Sequence, residues 1–134
     1  MSSRILLVAY AAIGGALGTA LRYLLTLAIQ ERAAGGFPIA TLLINITGSL
    51  LLGFLMRYGL EGSSASPELR LMLTTGFCGG FTTFSTFSYE TARLLEGGEW
   101  QRGVAYIVAS VVACLGGTVI GFALARTLLA AQRV

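Results

Sequence analysis

The chain has 134 residues, 55% hydrophobic and only 11% charged, with a mean hydropathy of +0.80. A soluble domain, about 25% charged as a rule, could not hide this much apolar surface at this size, so lipid is the natural solvent. All nine basic residues are Arg and all six acids are Glu, giving a formal net charge of +3 with no His, Asp or Lys, which excludes a Ser-His-Asp triad, an aspartyl dyad, a histidine metal site and a Schiff-base lysine.

A helix needs roughly 20 apolar residues to cross a bilayer core. Residues 5–29 supply a first span whose only charge is Arg22. It is too long for a cleavable signal peptide, and no convincing small-residue cleavage site follows it. Glu31, Arg32 and Gly35-Gly36 form a short connection, and Pro38 opens a second, uncharged span over residues 38–56. Asn45 lies near its middle, where a side-chain amide needs a partner. An interhelical hydrogen bond and a pore role both fit it. Residues 57–70 make the longest loop, with Gly62-Ser63-Ser64 as turn material and Pro67 where a third helix can begin. The third span covers residues 71–89 and the fourth residues 103–125, both uncharged. Between them Gly97-Gly98 is a breaker and Trp100 an interfacial anchor. Cys78 and Cys114 sit singly in apolar runs and read as packing residues.

With four spans, Arg4, Arg57, Arg70, Arg126 and Arg133 share one side, and Arg32, Arg93 and Arg102 the other. The arginines form no basic block, so they read as headgroup anchors, not as a nucleic-acid surface. Their near balance leaves two readings open: insertion with the N-terminus inside, or insertion both ways with pairing to an inverted copy. Glycines four apart (Gly14/Gly18, Gly76/Gly80, Gly117/Gly121) let helix backbones approach closely in lipid. The third span differs from the others. Gly79-Gly80 weakens its middle by roughly 1 kcal/mol per glycine relative to alanine, and the Thr and Ser that follow compete for backbone partners. Either the helix is broken here, as where transporters bind ions, or it is a kinked packing helix. Phe84 and Phe87 share one helix face.

The run Gly79-Gly80-Phe81-Thr82-Thr83-Phe84-Ser85-Thr86-Phe87-Ser88-Tyr89-Glu90 resembles the signature of the Fluc family of bacterial fluoride channels. So do Gly14-Gly15-Ala16-Leu17-Gly18-Thr19-Ala20-Leu21-Arg22-Tyr23 and Thr41-Leu42-Leu43-Ile44-Asn45. The resemblance covers the whole chain. It implies an all-α membrane protein: a single domain over residues 1–134 with four transmembrane helices, the third broken mid-membrane. It further implies an antiparallel dual-topology homodimer in a bacterial cell membrane, with two pores along the subunit interface. A structural sodium ion at the dimer centre would be held by backbone carbonyls that map to Gly79 and Thr82 of both copies. The pore residues map to Asn45, Phe84, Phe87, Tyr106 and Ser110. One turn beyond Ser110 stands Cys114, where some members have a serine; a thiol is the weaker donor.

These residues suit a small, strongly hydrated anion. Asn45, Thr83, Ser85 and Ser110 can donate, and aromatic edges carry positive partial charge. A fixed cation in the pore would hold the ion too tightly to release it. Arg22 has two readings, a side chain snorkelling to an interface or a structural pair with Glu90 of either copy. A proton-coupled exporter of organic cations would need an acid inside a span, and only Glu90, at the end of the third, comes near. A pure packing scaffold leaves residues 79–88 unexplained.

Overall fold

A computed structural model describes residues 2–32, 36–61 and 65–132. Gly35, the Gly62-Ser63-Ser64 turn and Arg133 lie outside the described residues. Six α-helices and one π-helical segment account for nearly all of the rest: α1 (Ser2–Gln30), α2 (Ile39–Glu61), α3 (Pro67–Leu71), a π-helix (Met72–Cys78), α4 (Gly79–Phe81), α5 (Phe84–Glu96) and α6 (Trp100–Ala131). Three of the helices are long and apolar enough to cross a membrane, over Arg4–Gln30, Ile39–Gly59 and Trp100–Ala131. They extend the expected first, second and fourth spans by a turn or less at most ends. The expected third span is a chain of short pieces running from Pro67 to Glu96.

Local signals set the helix ends. Ser66 caps α3, its hydroxyl accepting from Leu69 N–H at 3.2 Å, and Pro67 follows in the first turn. The turn between α5 and α6 is shorter than the sequence suggests. Helix α5 runs on to Glu96, and Gly98 then reverses the chain at φ 78°, a conformation that favours glycine.

Backbone contact holds the helices together. Helix α1 lies on the π-helix and α4, and α2 lies on α6. A Cβ on Gly14 would collide with the Met72 carbonyl, one on Gly18 with that of Phe77, and one on Gly80 with that of Gly15. Across the second seam, Gly121 meets the Leu50 carbonyl and Gly53 that of Thr118. All three spaced glycine pairs therefore have packing partners inside one chain. We expect Gly18→Val and Gly121→Val each to abolish the folded, monodisperse protein in detergent, because backbone cannot yield to a new side chain as a rotamer can. Gly116→Ala, where a Cβ meets nothing within 4 Å, should elute and melt as the wild type does.

The interior is small. Its buried apolar side chains include Ile44, Cys78, Phe81, Leu94, Tyr106 and Leu129, whereas α1 and α6 expose rows such as Ile5, Val8, Ile13 and Leu17, or Val108, Val112, Leu115 and Val119. Such faces need lipid or another chain against them. Both cysteines are free, with Cys78 buried.

The helix break falls elsewhere than the sequence suggests. Gly79 is helical (φ −64°, ψ −37°), and Gly80 lies inside α4. The chain leaves the helix at Thr82 (φ −82°, ψ 160°) and Thr83 (φ −150°, ψ 112°). The glycine at position 80 serves the close approach of α1. The interruption belongs to the threonines, whose side chains can replace helical partners. The π-helix before it has no signal in the hydrophobic pattern; its Thr74 hydroxyl donates to the Arg70 carbonyl at 2.8 Å.

Candidate functional site

The break is built from two side chains. Thr83 is the N-cap of α5: its hydroxyl accepts from Thr86 N–H at 3.2 Å and donates to Thr86 Oγ1 at 3.0 Å. Asn45, on α2, clamps the same residue. Its Nδ2 donates to the Thr83 carbonyl at 3.0 Å, and its Oδ1 accepts from Thr83 N–H at 2.8 Å. The amide thus takes the part of a neighbouring strand. The interhelical hydrogen bond considered for Asn45 is present, and one N–H of the amide is left over for another acceptor.

The clamp redirects donors and so frees carbonyls. In a continuous helix Thr83 N–H would bond the Gly79 carbonyl and Thr86 N–H that of Thr82. Here the first goes to Asn45 and the second to the Thr83 hydroxyl. The Gly80 carbonyl, which loses Phe84 N–H in the same way, is taken by Arg22 Nε at 3.1 Å and Thr19 Oγ1 at 3.3 Å. Arg22 is therefore a cap on the break. Among the described residues no ion pair joins it to Glu90, although both line one cavity of about 120 Å³ with Thr26, Thr41, Thr83 and Thr86. Gly79 faces outward, and a Cβ there meets nothing within 4 Å. Within one protomer Gly80, not Gly79, is the crowded position.

Beside the break lies a cavity of about 380 Å³. Asn45, Thr82, Thr83, Phe84, Phe87, Ser110 and Cys114 line it, together with Gly48, Ser49 and apolar residues of α2 and α6. No charged side chain lines it. The Phe84 and Phe87 ring centroids are 5.4 Å apart and tilted by 47°. Phe84 is 78% exposed within the chain, and Ser110 only 6%. Ser110 lines the cavity, and its Oγ is buried without a hydrogen-bond partner among the described residues, so its bonding capacity is unused.

Two expected pore residues sit differently. Ser85 does not line the cavity; its hydroxyl lies 3.2 Å from that of Thr83. Tyr106 is fully buried and packs between Phe87 (5.1 Å) and an edge-on Phe37 (5.5 Å). Its hydroxyl donates to Glu90 Oε2 at 2.7 Å, while Thr41 Oγ1 donates to Oε1 at 2.9 Å. Glu90 is thus inside α5, well before its end. The sequence argument had placed it at a span terminus, and the absence of an interior acid cannot be held against a cation exporter on this chain. Helix spacing carries part of the signal: Glu90 lies three residues beyond Phe87 and shares a face with it.

Glu90 also lines a mouth cavity of about 490 Å³, with Gln30, Phe37, Tyr89, Arg93 and Glu99. It borders both this mouth and the 120 Å³ cavity, as Gln30 does, and Thr83 borders both that one and the aromatic-lined cavity. Among the described residues no three His, Cys, Asp or Glu come together in a way that could hold a metal; carbonyl oxygens are the hard donors on offer.

Fold and site together define a multi-pass helical membrane protein with cavities between its helices. Residues 9–122 match the family described as CrcB-like protein, Camphor Resistance (CrcB), and the chain belongs to that family. It is 49% identical over 115 residues to a fluoride-specific ion channel FluC of Rhizobium meliloti (strain 1021), an alignment covering 86% of this chain and 92% of the relative. A protein of the same name from Ruminiclostridium cellulolyticum is 48% identical over 115 residues (86% and 88% covered). One from Geobacter sulfurreducens is 49% identical over 117 residues (87% and 94% covered). The family read from the third-span motif is thus the family of these relatives. The protein is a multi-pass bacterial membrane protein of an ion-channel family, not an enzyme.

Proposed function

We propose that the protein is a fluoride-specific channel that lets fluoride leave the cytoplasm passively. The observation that carries this reading is the uncharged cavity beside the break, where the Ser110 hydroxyl is unused and two phenylalanines meet Asn45 and Thr83. Fluoride is the base of a weak acid. The neutral acid crosses membranes and dissociates inside, so a passive path outward suffices to lower the anion's concentration.

Conduction requires replacing the ion's water with donors that let it go. Ser110 Oγ–H and the spare Asn45 N–H supply hydrogen bonds, and the edges of Phe84 and Phe87 supply partial positive charge. No full charge on the cavity wall arrests the ion. On the mouth side the anion must pass Glu90. Both of its oxygens accept from hydroxyls, which draws the carboxylate toward Thr41 and Tyr106. Arg22 across the 120 Å³ cavity offsets its charge.

The working unit in this reading is an antiparallel homodimer with four spans per chain, the composite from Pro67 to Glu96 serving as the third, and with two pores. The exposed Phe84 ring and the outward Gly79 support a second copy on this face. A structural sodium ion fits the same place. Of the carbonyls released by the break, those of Gly79 and Thr82 lose their helical donors to Asn45 and Thr83, and hard oxygens suit such a cation. When bound, it would supply the positive charge those carbonyl dipoles lack in lipid. Thr82 Oγ1 donates its proton to the Cys78 carbonyl at 3.0 Å, and its lone pairs stay open to a cation beside the backbone oxygen.

Efflux from liposomes loaded with fluoride or chloride tests the reading. Rapid fluoride efflux without chloride efflux is expected; equal rates, or none, refute it. After long dialysis with sodium replaced by a large organic cation on both sides, fluoride efflux should fall. Gly79→Val should leave the protomer folded but weaken the dimer, and Thr82→Ala should be the milder change. Full efflux without sodium, together with an intact Gly79→Val dimer, would remove the axial ion.

A further inference from the structure

We propose a binding site for an anionic phospholipid between the C-terminal half of α2 and the start of the third composite segment. The lipid phosphate sits on Arg70 and Tyr58, and an acyl chain lies along Phe54, Leu55 and Leu73. The proposal rests on the membrane character of the protein and not on the ion it conducts.

A cavity of about 230 Å³ opens here, its wall mostly apolar and, among the described residues, free of carboxylates. Phe54 and Tyr58 form a flat side of it, their rings stacked 5.6 Å apart at 9°. The stem of Arg70 crosses Gly59 so closely that a Cβ there would meet its Cδ at 3.3 Å and its Nε at 3.4 Å. Glycine at this position lets the guanidinium reach the cavity over the backbone of α2.

The polar end of the cavity has donors to spare. Arg70 Nη2 reaches the Ala65 carbonyl at 3.4 Å, the long limit of a hydrogen bond, and Nε is buried without a partner. Tyr58 OH accepts from Gln132 Nε2 at 3.3 Å, which leaves its own proton to give. A guanidinium and a phenol lining one cavity, with no acid beside them among the described residues, form a complement to a phosphate diester.

The depth is also right. Arg70 precedes the break at Thr82 by 12 residues, roughly 18 Å of helix. That is close to half the thickness of a hydrocarbon core, about 15 Å. With the break near the midplane, Arg70 stands at headgroup level and the apolar wall faces the acyl chains. A free phosphate ion would satisfy the donors but leave the Phe54–Leu73 wall bare, so the cleft as a whole favours lipid.

Native mass spectrometry of the detergent-solubilised protein tests the site, with phosphatidylglycerol and phosphatidylcholine of identical chains offered at equal concentration. Phosphatidylglycerol should be retained preferentially. Arg70→Gln should cut that retention about tenfold or more, the weight of one charge-assisted hydrogen bond. Leu73→Phe, which fills the apolar end and keeps the charge, should cut it too, and Arg70→Lys should restore part of it. Equal retention of the two lipids overturns the site. So does phosphatidylglycerol retention that survives Leu73→Phe, or its complete displacement by millimolar inorganic phosphate. None of these readings depends on whether the protein passes fluoride.

Discussion

Asn45→Leu is expected to abolish fluoride efflux and to lower the melting temperature of the purified protein sharply. Leucine fills much of the same space but can neither donate to the Thr83 carbonyl nor accept from its N–H, bonds of 3.0 and 2.8 Å in the native protein. Each orphaned backbone group costs roughly 1–3 kcal/mol, and more where no water can replace the partner. Without the clamp, Thr83 N–H is free to return to the Gly79 carbonyl, which would close the break and draw Phe84 and Phe87 out of register. Asn45→Asp separates the two effects. It keeps the acceptor for Thr83 N–H, loses the donor and adds a negative charge to the cavity wall, so it should hold more of the stability than leucine does and none of the efflux. Wild-type melting and efflux in Asn45→Leu would show that the break stands without this residue.

Phe84→Ile is expected to reduce fluoride efflux by about tenfold or more, equivalent to ~1.4 kcal/mol in the barrier, with little loss of stability. The ring is 78% exposed within the chain, so its removal takes away almost no intrachain packing. What it removes is an aromatic ring lining the cavity, its centroid 5.4 Å from that of Phe87. Phe87→Ile should lose as much efflux and also stability, because Phe87 packs on Tyr106, whose hydroxyl holds Glu90. The pair is read together by efflux and thermal melting. Unchanged efflux in Phe84→Ile would return the phenylalanines to a packing role.

Arg22 shows why some of the site was legible early and some was not. Its presence in a span was plain from the sequence, as was the need for a partner. Within the chain its Nε donates to the Gly80 carbonyl. Glycine contributes no side chain to a sequence pattern, and its carbonyl becomes available only because Phe84 N–H has been turned away by the extended backbone at Thr82 and Thr83. Glu90 is the same case. Read against a span ending at residue 89 it looked interfacial, whereas in the folded chain α5 continues to Glu96 and Glu90 accepts from helices α2 and α6.

Hydropathy alone determined that the protein lives in lipid and where α1, α2 and α6 lie, because the cost of exposing apolar residues to water sums over each segment wherever its neighbours are. The spaced glycines likewise announced close seams, and the motif from Gly79 to Glu90 announced the family. Only the tertiary structure decided that the helix parts at the threonines and not at the glycines, that Asn45 spends both ends of its amide on Thr83, and that the buried Ser110 hydroxyl has no partner among the described residues. A buried polar group takes whichever partner lies within about 3 Å, and which partner that is depends on how the helices pack, not on their order along the chain.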